Sequence, residues 1–211
     1  MRKALFCIVL VAATAAADVS HPVAASVRRG NIRRLIVDIA AGEISVRNGA
    51  SDRIGVTGEV RRSGDHPGDS RALANANVEI TTDAGDAIIR GTAHDRSWLG
   101  GMHTSYRLDI DVPRGMGVDL ETKYGEVRLE GEFGDVNVDL RAGEIHVRTP
   151  RSAVKELNAS VRIGEVHTDF GDDLEDHEGI LPGSTHFINA NGRSRIDVHT
   201  TVGELHVTLT K

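Results

Sequence analysis

An all-β fold built from a short repeat is predicted by three observations. A five-residue unit of glycine, acid, aliphatic, polar and aliphatic residues recurs along the chain. Each copy alternates apolar and polar positions with the period of a strand. The composition is rich in glycine and poor in aromatics, with 23 glycines and only 3% Phe, Trp and Tyr. The unit stands at Gly42-Glu43-Ile44-Ser45-Val46, Gly125-Glu126-Val127-Arg128-Leu129, Gly134-Asp135-Val136-Asn137-Val138, Gly143-Glu144-Ile145-His146-Val147, Gly164-Glu165-Val166-His167-Thr168 and Gly203-Glu204-Leu205-His206-Val207. The copies at Gly125, Gly134 and Gly143 start nine residues apart, and the Gly-Glu copies at 125, 143 and 164 lie 18 and 21 apart. A period near 20 made of short alternating segments indicates stacked β units, because one rung cannot bury its own apolar face without neighbours. This spacing admits a parallel β-solenoid or β-helix-like stack. It also admits an antiparallel β-sandwich of meander hairpins, with the 18 to 21-residue period as one hairpin.

The elements follow in chain order. Arg2 and Lys3, the apolar run from Ala4 to Ala13 and the small residues Ala15-Ala16-Ala17 read as a secretory signal peptide over residues 1–17. The run is too short to span a bilayer, which takes about 20 helical residues, and no later stretch is apolar enough to be a transmembrane segment. The mature protein is therefore expected to be exported, to the periplasm or the cell surface. Cys7 is the only cysteine and leaves with the signal, so no disulfide or thiol chemistry is expected. The formal net charge is −6, and it becomes more negative once Arg2 and Lys3 are removed. That balance argues against nucleic acid and against an anionic membrane surface as partners.

Residues 18–34 lack clear periodicity and are expected to be a mobile N-terminal segment. A single elongated β-repeat domain is expected over 35–211, less regular in its first half (35–113) than in its second (114–211). Leu35 to Ile39, Ile44 to Val46, Ile54 to Val60, Val78 to Thr82, Ala87 to Arg90 and Tyr106 to Val112 read as strands. Asp83-Ala84-Gly85-Asp86 reads as a hairpin turn. Arg61 to Ala76 reads as a loop with a short helical turn at Ser70 to Asn75. Trp98 lies in a glycine loop and is the candidate surface-binding contact, against the commoner role of a lid folded over a sheet end. Phe170 to Gly183 is an acidic insertion without the spacing or central glycine of a helical calcium loop.

Aligning the copies on their glycines turns the repeat into columns. Positions two and four after glycine are aliphatic and share the core face of a strand. One after glycine stand Glu126, Glu144, Glu165 and Glu204, and three after stand Arg128, His146, His167 and His206. Two before stand Lys123, Arg141, Arg162 and Thr201, so the Glu column lies between basic ones and the surface offsets its own charge. Glu144, His146, Glu165 and His167 are the candidate metal ligands, since imidazole and carboxylate together suit zinc or a similar ion. A charge ladder spreads ligands along a line, which favours a solvated surface over a site. A column of imidazoles also makes a surface whose charge changes between pH 5 and 8.

No catalytic signature is present: there is no Gly-x-Ser-x-Gly, His-Glu-x-x-His, Walker loop or dinucleotide fingerprint. No catalytic residue, no enzyme activity and no cofactor are expected. With these repeats, and with the opening LIVDIAAGEISVRNG, the chain from Leu35 to Leu209 resembles a bacterial family of exported proteins described as putative adhesins with β-strand repeats, otherwise as domains of unknown function. The resemblance implies a parallel solenoid-like stack at the cell envelope and carries over no catalytic residues. Histidine in the third outward position departs from the family pattern. The function expected is a non-catalytic, adhesin-like binding or structural module, with an envelope component or a surface polysaccharide or protein as partner. The competing readings are a carbohydrate-active β-helix enzyme and a metal-binding envelope protein.

Overall fold

The computed structural model describes residues 19–62, 77–92, 104–169 and 183–211. Trp98 lies outside them, as do the signal stretch, the expected helical turn at 70–75 and the acidic insertion over 170–182. The described residues form strands β1 (Val19–Arg28), β2 (Arg34–Asp38), β3 (Ala41–Asn48), β4 (Arg53–Arg62), β5 (Val78–Asp83) and β6 (Asp86–Gly91). They continue with β7 (Thr104–Val112), β8 (Gly117–Glu130), β9 (Val136–Pro150), β10 (Val154–Asp169), β11 (Gly183–Ile188) and β12 (Ser194–Thr210).

The parallel arrangement is the one adopted. β8, β9, β10 and β12 are long strands, each bent at its repeat glycine into two arms, and they pair in parallel. β2 and β3 make a further rung in two pieces, β2 beside the first arm of β8 and β3 beside the second. β6 and β7 extend the same pattern, pairing in parallel with β2 and β3. Antiparallel strands finish the ends: β4 on β7, β1 on β4 and β5 on β6 at one end, and β11 on the first arm of β10 at the other. The period of about 20 is thus one bent strand and its turn. Gly134 is not a corner; it precedes β9, and the nine-residue spacing marks the alternation of arms.

The bend is written in the burial pattern. Within each arm every second side chain points inward, but the step across the corner is five residues: Ile39 to Ile44, Thr122 to Val127, Leu140 to Ile145, Val161 to Val166 and Thr200 to Leu205. An odd step reverses which parity faces the core, as a strand must when it turns and keeps its apolar face inside. Gly42, Gly125, Gly143, Gly203 and Gly164 are paired in that spatial order with φ between 130° and 149°. The inward side chains of both arms, chiefly Val, Ile and Leu with Met116, Phe133 and Tyr106, form one continuous buried cluster.

One expectation is corrected. Within the segment 18–34 expected to be a mobile lead, residues 19–28 form strand β1, which pairs with β4 along its whole length and buries Val23. Pro22 and the Ser/Ala-rich sequence mask its alternation, and Pro22 is tolerated because β1 is an edge strand that needs no donor there. The rungs do not follow chain order: β12 lies between β9 and β10, so Leu205 to Leu209 belongs to an interior strand. The hairpin expected at 83–86 is present, with Ala84 at φ 46° and Gly85 at φ 95° joining β5 to β6, the two positive φ values of a type I′ turn.

A Cβ added to Gly143 would lie 1.8 Å from the Gly125 carbonyl oxygen, at a φ of 139°. Gly143→Ala is expected to cost at least about 4 kcal/mol or to prevent folding. Gly55→Ala, where a Cβ meets open space, is expected to change stability by no more than about 1 kcal/mol. Urea unfolding of the two variants checks both.

Candidate functional site

The outer face of the second arms carries most of the described chemistry. Pairing in register sets equivalent side chains about 4.7 to 4.9 Å apart, so each repeat position becomes a straight row. Nearest the corner the row reads Glu59, Arg107, Glu43, Glu126, Glu144, Glu204, Glu165 across seven strands. The next outward row reads Asp109, Ser45, Arg128, His146, His206, His167 from β7 to β10.

Five successive carboxylates repel one another at this spacing. At one end arginines offset them. Arg107 donates from Nε to Glu43 Oε2 at 2.7 Å and from Nη2 to Glu43 Oε1 at 2.8 Å, and Arg128 pairs with Glu126. The Arg107 hydrogen bond holds the Glu43 carboxyl below the usual carboxylate range, against partial burial that acts the other way. Toward the other end imidazoles take over. His146 Nε2 lies 3.3 Å from both Glu126 and Glu144, His206 Nε2 lies 3.4 Å from Glu204, and His167 Nε2 lies 3.2 Å from Glu165.

The three rings form a stack, His146 on His206 at 4.7 Å between centroids and 5° between planes, and His206 on His167 at 4.8 Å and 14°. Of the candidate ligands named from sequence, His146 and His167 are not neighbours, because His206 stands between them; Glu144 and Glu165 are likewise separated by Glu204. All three imidazoles are about one-third exposed. Among the described residues, two groups bring donor atoms within 4.8 Å of one another: His167, Glu204 and His206; and Glu126, Glu144 and His146. The central role of His206 rests on strand order, which the spacing of the copies does not encode.

The corner holds a row that the alternation does not account for. The residue before each corner glycine is Ala41, Tyr124, Ala142, Val202 and Ile163 in spatial order, and Tyr124, Val202 and Ile163 are exposed at 43%, 43% and 53%. Lys123, Arg141 and Arg162 flank it on one side and the Glu row on the other. Aligning the position before glycine is the signal that finds this row in the sequence. A cavity of about 400 Å³ opens beside it, lined by Glu43, Arg61, Tyr106, Arg107, Tyr124 and Glu126 among others.

On the outer face of the first arms, amides alternate with acids. Asn137 Nδ2 donates to Asp119 Oδ1 at 3.1 Å, Asn158 Nδ2 to Asp197 Oδ1 at 2.7 Å, and His186 Nδ1 lies 2.6 Å from Asn158 Oδ1. Arg195 binds Glu156, and that bond with a second from Asn158 Nδ2 holds the Glu156 carboxyl below its ordinary range.

Because the folded-state carboxyl of Glu43 titrates below its unfolded value, its contribution is present above about pH 4.3, the ordinary value for glutamate, and is lost as pH falls through the folded value. Glu43→Gln is expected to leave stability at pH 7 slightly lowered, the pair being half-exposed. It is expected to flatten the acid limb below pH 4.3. Thermal unfolding of both proteins from pH 7 to pH 3 checks this, and parallel acid limbs would remove the pair from the account.

No curated protein sequence matches the chain. Seven chains of solved structure match it. One is a putative cell adhesion protein from Clostridium sporogenes, 9% identical, with a TM-score of 0.49 over 91% of this chain and 100% of that one. Another is a putative adhesin from Bacteroides fragilis, 8% identical, with a TM-score of 0.31 over 89% and 97%. A third is a putative lipid binding protein from Parabacteroides distasonis, 8% identical, with a TM-score of 0.25 over 90% and 97%. The model of the Toastrack DUF4097 family matches residues 11–208, nearly the whole sequence, and the chain belongs to that family.

Proposed function

We propose that the protein is an exported, non-catalytic binding module of the cell envelope that holds an extended partner, a surface polysaccharide or protein, along its corner. The observation that carries this reading is the apolar row Tyr124, Ala142, Val202, Ile163, exposed at Tyr124, Val202 and Ile163, set on glycine corners and bordered by charged rows. Covering such a row stabilises a complex by about 25 cal/mol per Å² of apolar surface removed from water, and the flanking charges set the partner's register. A row repeating at strand spacing suits a partner that is itself long.

Electrostatics argue against Glu43 as the general acid of a glycosidase. Glycoside hydrolysis needs a carboxyl raised toward neutrality as general acid. In the cavity beside Tyr124, Glu43 is held the other way by Arg107, so it stays ionised and cannot donate a proton at neutral pH.

N-terminal sequencing of the exported protein is expected to begin at Asp18. In co-sedimentation with insoluble envelope material, the wild-type protein is expected to bind. A Tyr124→Ser, Ile163→Ser variant with an unchanged urea midpoint is expected to bind at least fivefold less. Polysaccharide incubated with the protein is expected to keep its chain length. Undiminished binding by the variant would remove the corner from the account, and released oligosaccharide would replace binding with catalysis.

A further inference from the structure

We infer that the far end of the Glu/His rows is a transition-metal site, in which His206 and His167 of β12 and β10, with Glu204, hold one zinc-like divalent ion across two neighbouring rungs.

The spacing along a ladder is the first objection, and the geometry answers it. Neighbouring rungs place the two rings 4.8 Å apart and nearly parallel. Both Nε2 atoms turn toward the Glu row, His206 Nε2 at 3.4 Å from Glu204 and His167 Nε2 at 3.2 Å from Glu165. The seam between the rows is therefore lined by nitrogen on one side and carboxylate oxygen on the other. One donor atom from each of His167, Glu204 and His206 already lies within 4.8 Å of the others. A tetrahedral ion with bonds of about 2.0 to 2.1 Å needs its ligands roughly 3.4 Å apart. Small side-chain rotations close that gap at side chains that are a third to a half exposed.

Charge points the same way. Arg107 and Arg128 offset the row at the Glu43 and Glu126 end, whereas the side chains facing Glu204 and Glu165 in the next row are His206 and His167. A divalent cation in the seam would relieve repulsion between the two carboxylates and fix both imidazoles, with Glu165 as a fourth donor or an orienting partner of His167. Two nitrogens and one carboxylate suit zinc, nickel or copper and not calcium, which takes oxygen ligands in larger number. His146 stacks on the other face of His206, but its Nε2 is shared by Glu126 and Glu144. That set has one nitrogen and two oxygens, and it is the poorer one for such an ion.

The test is calorimetric titration of the purified full chain, first stripped with EDTA, with zinc, nickel and calcium separately. One equivalent of zinc and of nickel is expected to bind, with no calcium heat. His206→Ala and His167→Ala are each expected to weaken zinc at least tenfold. His146→Ala and the first-arm control His199→Ala are expected to change it less than threefold. These histidines are on the surface, so the variants are expected to keep the wild-type circular dichroism; a zinc-induced rise in melting temperature that persists in wild type and vanishes in His206→Ala gives a second readout. Absence of zinc binding by the wild type, equal binding by His206→Ala, or loss in His146→Ala alone would each overturn the assignment.

Discussion

Everything in this protein hangs on five glycines whose backbones touch. Gly42, Gly125, Gly143, Gly203 and Gly164 stand one above another, and a methyl group on any one would meet a neighbouring carbonyl oxygen at 1.7 to 1.9 Å. Positive φ and close approach together leave no other residue type. The corner they make reverses the parity of alternation, so both arms of a rung bury their aliphatic side chains in one cluster. It also aligns the outward residues into rows. A corner displaced in one rung would break the apolar cluster and the surface rows together, because both inherit their register from the same glycine.

The rows have an electrostatic cost that the sequence offsets unevenly. In-register parallel pairing repeats whatever a column carries, and a repeated glutamate becomes a line of like charges. Arginine answers this at one end, where Arg107 grips Glu43 through two hydrogen bonds. Imidazole answers it at the other, where a ring is compact enough to stack at strand spacing. The two ends of one face therefore differ in chemistry: permanently charged beside β7, and rich in metal-binding donors beside β10.

Most of this was legible as columns and little of it as order. The alternation in Val127 to Leu129 or Ile145 to Val147 is enough to say strand and to say which face is buried. The Gly-Glu step marks each rung. What the residues do not carry is which copy sits beside which. The backbone pairing that joins β9 to β12 would serve β9 and β10 as well, since the copies share the same glycine, acid and aliphatic positions. For that reason the imidazoles of β9 and β10 read as neighbours in sequence while His206 separates them in space. The β1 strand was hidden for a different reason. Ser, Ala and Pro22 in its sequence weaken the periodic signal, and its pairing is supplied by β4, more than twenty residues away. The apolar corner row escaped the period-two reading because it belongs to the bend.

The placement of β12 has a consequence for how the chain acquires its shape during synthesis. Residues 194–210 follow β9 and β10 in the sequence and yet form an interior rung between them, paired on both sides. A nascent chain that has made β9 and β10 therefore holds two unsatisfied strand edges with a gap one rung wide, and it cannot close until residue 210 has emerged. Contacts of such long sequence separation form slowly, and open edges in the interim are sites of aggregation. A chain of this topology is suited to being kept unfolded until β12 has emerged, and premature termination anywhere before β12 would leave an unfinished stack with both edges bare.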